Sequence, residues 1–94
     1  MALTFEWHEE KANENFKKHG VSFEEAKSIF NDPLSLTIAD PEHSVAEDRY
    51  IDIGLSANKQ ILVVVYTERG SNIRIISCRK ATKAERRSYE RKEL

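Results

Sequence analysis

The side chains best equipped for chemistry in this chain are its arginines, with one histidine, one glutamate and one tyrosine beside them. Arginine presents a planar, permanently charged fork that grips two oxygens of a phosphate at once. Arg79 is the foremost candidate, because it closes the last predicted strand, where a side chain can leave the sheet rim and face solvent. Arg49 is predicted to share a strand face with Glu47, Ile51 and Ile53, at the rim of a buried surface. It either binds phosphate there or pairs with Glu47. Arg69 falls in a hairpin tip next to Gly70, where an ordinary exposed turn residue is also expected. Arg74 and Arg79 lie five positions apart on one strand, so regular pairing puts them on opposite faces unless a bulge intervenes. His43, on a polar loop, is the histidine best placed for proton transfer, although a merely solvated ring fits that position too. His19 is expected to serve the carbonyl end of a helix. Tyr66 ends a central strand, either as an aromatic at the edge of the core or as a group that stacks or donates a proton. No acidic or histidine cluster has metal-ligand spacing, so neither a metal nor another cofactor is expected.

These groups must be held by a small framework. Leu3-Thr4-Phe5-Glu6-Trp7 alternates as a short strand. A helix is predicted over residues 9–18, stopped by Gly20, and a second begins with Ser22 as N-cap and Glu25 three residues on. Asp32-Pro33 ends that helix. Strands are predicted at 34–39, 47–55, 60–67 and 73–79, the third of these being the most buried. Thr82 and Glu85 form another capping pair and open a helix to about residue 92. The order β-α-α-β-β-β-β-α gives an α+β fold, with a small antiparallel sheet packed against the two N-terminal helices and a C-terminal helix beyond it. That last helix offers only Ala84, Tyr89 and Leu94 as apolar residues, so weak docking is expected.

The 94 residues form one predicted domain. A single cysteine, Cys78, allows no internal disulfide, and no apolar run can span a bilayer. A cytoplasmic protein without membrane association is expected. The net charge of −1 conceals an asymmetry. Residues 1–58 carry 5 Lys/Arg against 12 Asp/Glu, whereas residues 59–94 carry 10 against 4. Such a basic half points to a polyanion partner. Lys80, Lys83, Arg86, Arg87 and Arg91 concentrate the charge on the last helix, which would attract phosphates without reading sequence, or else is simply a solvated face.

An ordered set of residues carries a family resemblance along nearly the whole chain. It runs from Phe5-Glu6-Trp7, Lys11 and Asn15 through Lys18-His19-Gly20-Val21-Ser22-Phe23-Glu24-Glu25-Ala26 to Phe30 and Asp32-Pro33. It continues with Asp40, His43-Ser44, Glu47, Arg49 and Ile53-Gly54. It closes with Val64, Tyr66-Thr67-Glu68-Arg69, Arg74-Ile75-Ile76-Ser77, Arg79, Ala81, Glu85-Arg86 and Tyr89. This set resembles the BrnT family of toxins. His8 departs from the pattern, which usually has Asp there, and His is the poorer helix cap.

The resemblance implies a RelE-like fold and an RNA endonuclease that stalls translation. It also implies a cognate DNA-binding antitoxin that neutralises the toxin, with operator DNA contacted only through their complex. Metal-free RNA cleavage needs a base for the 2′-hydroxyl, cations for the phosphorus-centred transition state and an acid for the leaving oxygen. Arg79, Arg49, His43, Glu47 and Tyr66 are the catalytic candidates, and Arg69, Arg74, Lys80, Lys83, Arg86 and Arg87 the RNA-binding ones. Two other readings use the same residues: a non-catalytic nucleic-acid-binding module, and a degenerate toxin that survives only as corepressor with its antitoxin.

Overall fold

The computed structural model describes residues 3–39 and 49–92. Its elements are β1 (Thr4–Glu6), α1 (Glu9–His19), α2 (Phe23–Ser28), a 3-10 turn (Ile29–Asn31), β2 (Leu36–Ala39), β3 (Arg49–Leu55), β4 (Ile61–Arg69), β5 (Asn72–Lys80) and α3 (Lys83–Arg91). The five strands form one sheet in the order β1-β5-β4-β3-β2. Strands β2 to β5 make the expected antiparallel meander, while β1 returns to pair in parallel with β5. The architecture is therefore mixed α+β, as the sequence pattern predicts.

One sheet face is sealed by α1, α2 and the 3-10 turn. Leu62 and Val64 of β4 and Ile73, Ile75 and Cys78 of β5 pack there against Val21, Phe23, Ala26 and Ile29. The fit is close at Gly54, where a Cβ would come within 3.1 Å of Ile29 and 3.2 Å of Ser35. Helix α1 stops where expected, with Gly20 in the left-handed region at φ 71° and its N–H donating to the Phe16 carbonyl. His8 supplies no side-chain cap to α1. At α2 the Ser22 hydroxyl accepts from the Glu25 N–H at 3.0 Å. The Glu25 carboxylate turns away to accept from Ser56 and Gln60, so it ties α2 to the β3–β4 turn and does not complete a capping box.

Asn15 solves a problem that the topology creates. β1 is short and pairs only as far as Arg74, leaving the outer edge of β5 without a strand neighbour at Cys78. The Asn15 amide takes that place: it donates to the Cys78 carbonyl at 2.9 Å and accepts from the Cys78 N–H at 3.1 Å. It donates to the Val21 carbonyl as well, at 3.1 Å. A buried amide thus substitutes for one residue of a missing strand. The Cys78 thiol beneath it is free, and burial raises its pKa to about 11.

The opposite face carries Ile53 and Val63, with Ile51, Leu55, Ile61 and Leu36 around them, and Tyr89 of α3 covers one end. Polar ties supplement the small apolar area by which α3 docks. The Tyr89 ring is buried, and its hydroxyl donates to Asp32 at 2.6 Å. The capping box of Thr82 and Glu85 is complete. Among the described residues, α3 is the one helix on this face, the open face of the sheet.

Candidate RNA-facing site

Register decides which side chains meet on the open face. Val65 pairs Ser77, but the next residue, Tyr66, pairs Ile75, so Ile76 is an extra residue on β5. A bulge of this kind reverses the alternation beyond it. Arg79 lies opposite Val63 and Ser77 opposite Val65; beyond the bulge, Arg74 lies opposite Thr67. Arg49 is the β3 neighbour of the same threonine. Arg49, Arg74 and Arg79 therefore share the open face. The expectation from regular pairing, that Arg74 and Arg79 point apart, is overturned by this one residue.

A trough of about 340 Å³ opens beside Arg79, lined by Ile38, Ile51, Ile53, Val63, Val65 and Ser77 together with Arg79, Glu85, Cys78 and His19; Arg49 and Arg74 do not line it. Its floor is aliphatic and its rim is charged. Arg79 is held there by Glu85, whose two carboxylate oxygens accept from Nη1 and Nη2 at 2.7 and 2.8 Å. Nη1 also donates to the Lys80 carbonyl at 3.3 Å. The bond to Arg79 pulls the Glu85 pKa down to about 2, with help from the Thr82 N–H. Glu85 in turn raises the Arg79 pKa. This end-on pairing fixes the orientation of the guanidinium and joins β5 to the first turn of α3.

His19 is the functional candidate that the sequence pattern assigned elsewhere. Read along the chain it is a helix terminus; in the fold it lies at the trough beside Arg79 and Ser77. Its neighbourhood with Cys78, 59 positions later, exists only once α1 has docked on β5.

The other candidates are distributed differently. Tyr66 is a correction. It lies on the sealed face, is 4% exposed, stacks against Tyr50 and donates to Asp52 at 2.9 Å. Burial and the Asp52 carboxylate push its pKa far above the ordinary phenol value, and burial raises that of Asp52. It is a core residue on the opposite side of the sheet from Arg79. Arg69, Lys80, Lys83, Arg86 and Arg87 are all exposed, and Arg86 and Lys80 line a cleft with Lys59, Gln60 and Ile61. Arg74 pairs with Glu6 of β1 at 3.3 Å. His43 and Glu47 lie outside the described residues. Among the described residues, no group of three His, Cys, Asp or Glu side chains is placed to hold a metal ion, and no helix is long and apolar enough to cross a membrane.

Fold and site together define a small mixed α+β protein whose sheet carries three arginines and an aliphatic trough on one face, two of the arginines paired with carboxylates. The family model for BrnT, the ribonuclease toxin of type II toxin-antitoxin systems, matches residues 7–85, and the chain belongs to that family. Its structure is similar to the crystal structure of the ribonuclease toxin BrnT of Brucella abortus. The two share 25% sequence identity and a TM-score of 0.65 over 87% of this chain and all of that one. No curated protein matches the chain significantly.

Proposed function

We propose that this chain is a single-domain toxin that cleaves RNA endonucleolytically, without a metal ion, on the open sheet face, and thereby inhibits translation until a cognate antitoxin binds it. The observation that carries this reading is the bulge at Ile76, which puts Arg74 on the same face as Arg49 and Arg79, the face whose aliphatic trough is lined by Arg79. An apolar floor accommodates an unstacked base, and forked cations at its rim suit the phosphate beside it. Arg79 is assigned the transition-state charge, its fork oriented by Glu85 so that its remaining N–H groups serve the phosphate. His19 is assigned proton transfer at the 2′-hydroxyl or the leaving oxygen, since histidine as a type exchanges protons near neutrality. His43 and Glu47 keep that role as alternatives from the sequence. Lys80, Lys83, Arg86 and Arg87 steer RNA by long-range attraction.

The antitoxin reading rests on membership of a type II family; covering the cationic face with acidic side chains would block RNA by competition. Operator DNA would then be met only through the toxin–antitoxin complex, in the cytoplasm. The test is purified protein with defined RNA in excess EDTA. Cleavage by the wild type and its loss in Arg79→Ala, with RNA affinity changed only a few-fold, supports catalysis. Intact RNA in both cases defeats it.

The filled Arg79–Glu85 fork favours a second reading, in which Arg79 is a structural tie and the face binds nucleic acid without cutting it. In that case Arg79→Ala lowers stability and affinity, and no RNA is cleaved by either form. Growth arrest on expression without the antitoxin excludes the variant of this reading in which the chain is only a corepressor.

A further inference from the structure

One row of the open face crosses four strands: Glu6 on β1, Arg74 on β5, Thr67 on β4 and Arg49 on β3. Neighbouring strands lie about 4.8 Å apart, so the two arginines flank Thr67 with Cα atoms about 10 Å from each other. Among the described residues, the Thr67 hydroxyl is the one buried side-chain polar atom without a hydrogen-bond partner. The residue is 2% exposed. A buried, unpaired hydroxyl is costly, and valine would fill the same space without that cost. The pair of Arg74 with Glu6 has side chains 34% and 38% exposed, so an incoming anion can exchange with it. Arrangements that lower stability in this way mark sites whose return comes on binding.

We infer that Thr67, Arg74 and Arg49 form a second phosphate station, distinct from the one at Arg79, which receives another backbone phosphate of the same polynucleotide strand. Four residues of β4 separate Thr67 from Val63, the partner of Arg79, which places the stations about 13 Å apart. The Arg74 side chain leaves Glu6, and its guanidinium and the Thr67 hydroxyl donate to the same phosphate. The bulge at Ile76 is what makes the station, since regular pairing would send Arg74 to the sealed face. The inference rests on the open face being the RNA site.

The test compares Thr67→Val and Thr67→Ser with the wild type, using 2′-O-methyl oligonucleotides that bind without being cleaved. A dinucleotide has one phosphate and can fill one station; a hexanucleotide can fill both. Thr67→Val is expected to bind the hexanucleotide about tenfold more weakly, the loss of one hydrogen bond to a charged group. Its dinucleotide affinity should be unchanged and its Tm equal or higher, and Thr67→Ser should behave as the wild type. Hexanucleotide affinity unchanged in Thr67→Val overturns the station and leaves the hydroxyl an unpaired core atom. Equal losses at both lengths overturn it as well, because the damage is then general. These are binding readouts, so wild-type protein that shows the length dependence yet leaves RNA intact refutes the endonuclease reading and keeps the station.

Discussion

Arg79 and Glu85 form the contact whose removal says most about the site. Truncating Arg79 to alanine removes a preorganised cation, so single-turnover RNA cleavage should fall by about a hundredfold or more. Glu85→Gln keeps an acceptor but loses the charge that orients the fork. It should reduce cleavage less than Arg79→Ala does, and weaken α3 as well. The acid dependence has a definite sign. Glu85 has its pKa lowered from the ordinary 4.5 to about 2, with the Arg79 bond as the main cause. A lowered folded-state pKa contributes stability above the unfolded value, which is lost as pH falls through the folded one. The stability gap between wild type and Glu85→Gln should therefore be full above pH 4.5 and close as pH drops toward 2, as acid-unfolding midpoints will show. For His19, replacement by Gln should lower single-turnover cleavage with RNA affinity little changed; an unchanged cleavage rate would return the proton-transfer role to His43 or Glu47.

At the scale of elements, two joints are informative. The Asn15 amide holds the open edge of β5, and Asn15→Ala strands the Cys78 N–H and carbonyl and leaves the Val21 carbonyl only the Cys78 thiol as donor. A loss of about 3 kcal/mol is expected, within the cost of buried groups left unpaired. Denaturant unfolding measures it, and amide exchange at Cys78 should report the same opening. The second joint is the foot of α3. Burial alone would raise the Asp32 pKa, yet the Tyr89 hydroxyl, the Leu55 and Leu34 amides and Lys92 together lower it. Tyr89→Phe deletes the 2.6 Å bond, and about 1 kcal/mol should be lost. The helix should then exchange its amides faster while the sheet is unaffected. Composition alone suggested loose docking for α3, because apolar residues are scarce in it; the partner that anchors Tyr89 comes from 57 residues earlier.

Over the whole molecule, charge is divided between the two halves of the chain. The basic half supplies β4, β5 and α3, and the arginines of the open face join the exposed Lys83, Arg86 and Arg87 of α3 in one electrostatic field. RNA affinity should fall steeply with salt, the slope shrinking by about 0.7 for each phosphate contact removed. Reversing the charge of Lys83, Arg86 and Arg87 together should slow association and flatten that slope. The cleavage rate of bound RNA should stay close to wild type, because these side chains lie outside the trough. Measuring kcat and KM at several ionic strengths separates steering from chemistry.

Local physics was legible in the sequence wherever one residue dictates one conformation. Gly20 ends α1, Ser22 and Thr82 start helices, alternation marks the strands, and the charge bias between the halves needs no fold to be seen. The family itself was legible because its residues recur in order along the chain. What only the tertiary structure decided is facing. Side-chain direction in a strand alternates with period two, so a single extra residue at Ile76 moves Arg74 from one side of the sheet to the other, and nothing in the sequence marks that bulge. The same holds for contacts made across long separations. His19 reaches the trough through the docking of α1 on β5, Asn15 stands in for a strand, and Tyr66 turns its hydroxyl to a buried carboxylate. The sequence determined the kinds of groups available and the elements that carry them. Packing and register determined which of them meet.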